Sequence, residues 1–175
     1  MPLLENGHHV ADRWTALPDA EPVPDDGPVL VSLDRLKAEA DTLWTRSAPI
    51  GVRLPNDVPV SALVAAVGGA LDRLSLIVLS FPAFKDGRAY TQARQLRDTH
   101  GYQGSLRATG DVLRDQLYFM ARCGIDAVEI DSTDPEGDWQ ASVTTFGAVY
   151  QPASDDRTPI SVQRLAALGR KGVAA

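Results

Sequence analysis

The sequence predicts an α/β fold of sequential parallel β/α units, curled into a partial, half TIM-barrel-like arc. Two observations predict it. First, five short apolar runs alternate with helical segments after residue 28, a rhythm that implies a parallel sheet with right-handed crossovers. Second, each run carries one polar residue near its C-terminal end: Ser32, Arg53, Ser80, Arg107 and Glu129, each flanked by apolar neighbours. Strand side chains alternate between faces, so these five are expected on one face and at one level. The alternative, a doubly wound parallel sheet, buries both faces under helices and prefers uninterrupted apolar runs. A barrel interior accepts a polar layer near its mouth.

The elements follow in order. Residues 1–28 form an N-terminal hairpin and linker: Asn6-Gly7 is a hairpin turn signal, and "LPDAEPVPDDGP" reads as extended chain. Residues 29–175 form a single α/β domain. Its strands are "VLVSL" (29–33), "IGVRL" (50–54), "LIVLSF" (76–81), "SLRAT" (105–109) and "AVEI" (127–130). "DRLKAEADTLWTR" is an amphipathic helix with Leu36, Ala40 and Leu43 on one face. "VSALVAAVGGALDRL" (60–74) reads as a very apolar helix. "GRAYTQARQLRDTH" is a helix closed by Gly101, and "DVLRDQLYFMARC" one with Leu113, Leu117, Met120 and Ala121 facing inward, ended by Gly124. "DWQASVTTFGAVYQ" suits a helix or a strand pair, and a terminal helix is expected from Thr158 onward. Five units cannot close an eight-stranded barrel. The exposed edges and inner face must be covered by the tail, the N-terminal hairpin or a second subunit, so a homodimer is expected.

Composition narrows the function. The 175 residues carry a net charge of −6, which argues against a general nucleic-acid or anionic-membrane binder. One cysteine, Cys123, excludes an internal disulfide and a four-cysteine metal or iron–sulfur site within one chain. No stretch has membrane-spanning length, and the start lacks a signal-peptide pattern, so the expected location is the cytoplasm. P-loop and dinucleotide-binding glycine motifs are missing, no cofactor is identified, and the spacing of His8, His9 and His100 suits no metal.

Against that acidic background, "FPAFKDGRAYTQARQLR" (81–97) holds four cations and one carboxylate, directly after a strand. The loop at the C-terminal end of such a strand is the ligand-binding edge in either architecture. Gly87 opens the following helix beside Lys85 and Arg88, where helix amides favour anions. The next such loop, "RATGDVLRDQ", supplies Arg107, Thr109, Asp111 and Arg114. Lys85, Arg88, Arg107 and Arg114, with Asp86 and Asp111 as partners, are therefore expected to build a small oxyanion site or a docking surface for an acidic partner. Arg53 and Glu129 are candidate pocket lining, and Glu129 is also a candidate general base. The plainer reading is an ion-pair network between loops. Arg94 and Arg97, further along the helix, are expected to be solvated. Catalytic residues are not identified.

The segment "FPAFKDGRAYTQARQLRDTHGYQGSLRATGDVLRDQLYFMARCGIDAVEI", with its "DGR", "GDVLRDQ" and "RCG" elements, resembles the bacterial family of unknown function DUF934. Members are usually encoded beside assimilatory sulfite reductase and are described as oxidoreductases of sulfite reduction. The resemblance implies a place in sulfur assimilation: an accessory protein or oxidoreductase of that pathway, binding sulfite reductase or an oxyanion. The alternative from the residues is a small barrel-type enzyme acting on an anionic metabolite.

Overall fold

The computed structural model describes residues 1–155 and 157–171. Residues 172–175 of the expected terminal helix lie outside them. Eight strands form one sheet: β1 (Leu3–Glu5), β2 (His8–Val10), β3 (Thr15–Ala16), β4 (Val29–Ser32), β5 (Ile50–Leu54), β6 (Leu76–Phe81), β7 (Ser105–Gly110) and β8 (Ala127–Glu129), in spatial order β2-β1-β8-β7-β6-β5-β4-β3. From β3 to β8 all pairings are parallel and sequential, and the β1/β2 hairpin adds antiparallel to β8. The sheet is curled into a half-barrel.

The chain itself demonstrates the curl. β2 and β3 lie at opposite edges, yet only residues 11–14 join them. Eight flat strands would span about 34 Å at about 4.8 Å per gap. Five residue steps reach at most about 18 Å. The sheet must therefore bend through roughly half a turn for the N-terminal segment to pair with both edges.

The helices are α1 (Leu33–Ala38), α2 (Ala40–Leu43), α3 (Val60–Ala66), α4 (Arg88–Arg94), α5 (Leu117–Arg122), α6 (Pro135–Val143) and α7 (Ile160–Lys171). Leu36, Leu63, Ala89, Ala93, Leu117 and Met120 pack with Val31, Val52, Leu54, Ile77, Leu79, Phe81, Leu106, Ala108 and Val128 in one core. These strand residues alternate with Ser32, Arg53, Ser80, Arg107 and Glu129, so the five polar residues share the opposite, inner face. The doubly wound alternative is thereby excluded.

Several expectations need correction. The pairing register puts Ser32, Arg53 and Arg107 at one level, whereas Ser80 and Glu129 lie one pleat nearer the mouth. The apolar stretch 60–74 is no single helix. It breaks at Gly68 and Gly69, both at positive φ, and resumes as a 3₁₀ turn at Leu71–Arg73. Leu113 is exposed rather than inward, because the helix proper begins only at Leu117. Of the covers expected for the sheet edges, the N-terminal hairpin takes the β8 edge, and β3, which lies in the region expected as linker, takes the β4 edge.

Candidate functional site

Three loops meet at the C-terminal edge of the sheet. In the β6–α4 loop, Arg88 Nε and Nη2 donate to Asp86 at 3.0 and 2.7 Å. Asn56, after β5, donates to the same carboxylate at 2.8 Å. The Arg88 bonds hold the Asp86 carboxyl well below the usual range, against a smaller opposing effect of desolvation. In the β7–α5 loop, Asp111 Oδ2 accepts from the Phe84 amide at 2.8 Å. The Asp111 amide donates to Phe81 O at 2.7 Å. Gln116 Nε2 donates to Phe84 O at 3.3 Å. Gly110 permits this closeness: it has φ +106°, and a Cβ there would lie 2.4 Å from Phe81 O.

Lys85 is exposed on this rim and makes no ion pair among those of the described residues. Arg114 turns away to Asp138 of α6 at 3.0 Å.

Arg107 belongs to a different environment. Its side chain is 1% exposed, on the inner face. Nη1 and Nη2 donate to the two Asp12 oxygens at 2.9 and 3.1 Å. Nη1 also reaches Glu129 at 3.4 Å, and Thr109 Oγ1 donates to Glu129 at 2.8 Å. Burial pulls the Asp12 carboxyl upward, but bonds from Arg107 and the Trp14 amide outweigh it and hold it below its ordinary value. Trp14 packs on Leu30, Leu76 and Val78. Gly51 leaves room beneath it, since a Cβ there would stand 3.0 Å from the indole. Residues 11–14 thus form a strap across the inner face.

The structure therefore brings Asp86 to Arg88, and Arg107 to Glu129. It does not bring the guanidiniums of Arg88 and Arg107 into one ion-pair cluster. Arg53 is exposed at the mouth and lines a cavity of about 310 Å³ with Asp19 and Ser32. Among the described residues, no three His, Cys, Asp or Glu side chains converge with metal-holding geometry. No helix among them is long and apolar enough to cross a membrane.

Residues 51–161, more than half of the chain, match the model of a bacterial protein of unknown function, DUF934. The chain belongs to the DUF934 family. No curated protein matches it. The matched span of this DUF934 chain takes in Arg53, the loops of Lys85 to Arg114, and Glu129. The strap with Asp12 and Trp14 lies outside it.

Two features of the DUF934 chain escaped the sequence reading. Asp12 gave no signal, because the four-residue "ADRW" has no periodicity. Arg97, expected in solvent, is largely buried and donates to Tyr102 O, Gly104 O, Gly124 O and Asp126 at 2.5–3.0 Å. The π-helical turn Gln95–Thr99 and the positive-φ Gly101 fold the chain back so that these carbonyls face the guanidinium. Arg94 pairs with Asp98 at 2.5 Å nearer the surface.

Proposed function

We propose that this chain is an accessory protein of assimilatory sulfite reduction, acting in the cytoplasm. It docks on sulfite reductase, or presents an oxyanion to it, through the rim of Lys85 and Arg88. The family's association with sulfite reduction supports the pathway. One observation supports an accessory role over catalysis. The chain's own strap, with Asp12 on Arg107 and Trp14 on Leu30, Leu76 and Val78, fills much of the inner face behind the C-terminal mouth at which a barrel enzyme holds its substrate. Lys85 and Arg88 stay exposed on the rim, which suits a docking surface. Any redox role then draws its electrons from a flavin, a nicotinamide or the partner protein. The test is co-purification of the full chain with sulfite reductase, using wild type and a Lys85→Glu/Arg88→Glu variant. Capture of the reductase by wild type and loss in the variant is the expected result. Equal recovery, or none with wild type, overturns the docking.

A second reading, a small enzyme acting on an anionic metabolite, is favoured by the exposed Arg53 over the cavity it shares with Asp19 and Ser32. Sulfate binding lost in Arg53→Ala, together with turnover by the isolated protein, would establish it. Growth of a deletion strain on sulfate, sulfite, sulfide or cysteine tests the pathway in both cases.

A further inference from the structure

Two apolar surfaces have no partner among the described residues of this chain. One is an open groove of about 690 Å³ between α5 and α6, floored by Tyr118, Phe119 and Phe146 and flanked by Leu113. Tyr118 stacks edge-on against both phenylalanines, at 5.4 and 5.1 Å, so the rings are held in place. Phe119 and Phe146 are nonetheless 59% and 53% exposed. Contiguous aromatic surface of this kind marks an interaction site. The other surface is the apolar stripe of α7. Val162, Leu165 and Leu168 follow one another at three-residue spacing, hence on one side of the helix, and the two leucines are 69% and 67% exposed. A bridge between Val149 and Pro159 leads the chain into α7 with this stripe in solvent.

We infer that the groove receives α7 of a second copy of this chain, and that the exchange is reciprocal. Charge favours this occupant. α7 contains no Asp or Glu and carries the exposed Arg164 in a protein of net charge −6. On the groove rim Arg114 is neutralised by Asp138, which leaves Asp115, without an ion pair among the described residues, as the charge to face Arg164 of the incoming helix. Symmetry favours it as well. Both halves of the contact are present on each chain, so a two-fold dimer makes it twice and leaves neither surface over. This dimer does not depend on the sheet edges, which β2 and β3 cover, nor on the proposed role in sulfite reduction.

Analytical ultracentrifugation of the full chain between 1 and 100 µM provides the test. Wild type is expected to dimerise. Leu165→Glu/Leu168→Glu and Phe119→Ser/Phe146→Ser should each weaken the dimer by about 100-fold or more, which corresponds to two lost apolar anchors. Mixing the two monomeric variants should restore association, because one copy then keeps an intact groove and the other an intact α7. A monomeric wild type, a dimer indifferent to either variant, or variants that fail to associate when mixed would each overturn the inference. Circular dichroism checks that both variants fold. Should one lose its helical signal, the charge pair decides. Asp115→Arg and Arg164→Asp should each weaken the dimer and in combination restore it, and a combination no better than the single changes overturns the exchange.

Discussion

Asp12 grips Arg107 across 95 residues of sequence, with two hydrogen bonds of 2.9 and 3.1 Å to opposite sides of one guanidinium fork. This contact fastens the N-terminal strap to the inner face. Arg107 is fully enclosed whereas Asp12 is part-exposed, so the two ends differ in energetic weight. Arg107→Ala leaves Asp12 and Glu129 facing each other without a cation and should cost about 3 kcal/mol. In a chain of this size that lowers Tm by about 6–12 °C. Asp12→Ala leaves Glu129 as a remaining partner and should cost about 1–2 kcal/mol. Calorimetry on both variants checks the order. An Asp12 variant as damaged as the Arg107 variant would contradict it.

The same contact predicts a response to acid. The folded state depresses the Asp12 pKa, so its stabilising contribution is complete above the ordinary aspartate value of about 3.9. It is lost as pH falls through the lower folded value. Hydrogen exchange at residues 11–16 should therefore accelerate below about pH 4 in wild type. In Asp12→Asn that pH dependence should vanish.

Arg97 closes four acceptors with one side chain. Arg97→Ala should destabilise by about 3 kcal/mol, because part-buried carbonyls lose their donors. Lysine has one compact ammonium in place of a planar fork, so Arg97→Lys should recover less than half of the loss. Urea unfolding of the three proteins measures this.

Gly110→Ala should destabilise by more than about 2 kcal/mol. The new methyl would meet the Phe81 carbonyl, and the positive φ disfavours any side chain. Arg88→Ala, on the exposed rim, should leave Tm nearly unchanged. A large drop for Arg88→Ala would turn the rim from a docking surface into scaffolding.

Cys123 sits half-buried at the end of α5, and burial pushes its thiol pKa up. Alkylation by iodoacetamide at pH 8 should be slower in the native chain than in the same chain in urea. Equal rates would contradict the burial.

Family and fold were legible in the sequence. The alternation of apolar runs with helical segments produced the sequential parallel sheet. One polar residue per strand located the inner face, because period-two side-chain alternation is a local property of an extended chain. The hairpin at Asn6-Gly7 was equally local, and both residues take positive φ in the structure. Where local signals were overridden, the reason is visible. The apolar pattern of 60–74 runs through Gly68-Gly69, and hydropathy does not register the backbone break that two glycines at positive φ impose.

What the linear sequence determined by itself was the hairpin, the five central strands, their order and the side each polar residue faces, since these depend on neighbours a few positions apart. The two-residue edge strand β3 was not among them. Only the tertiary structure decided what those polar residues do. Curling the sheet brought its two edges within reach of residues 11–14. It set Asp12 opposite Arg107, packed Trp14 on Leu30, Leu76 and Val78 of the inner face and left Lys85 and Arg88 on the rim. The cationic stretch 81–97 divides accordingly: Arg88 and Arg94 pair locally with Asp86 and Asp98, Arg97 turns inward to Asp126, and Lys85 remains outside. The Asp12–Arg107 pairing arises from long-range closure, and no periodicity in four residues of linker encodes it.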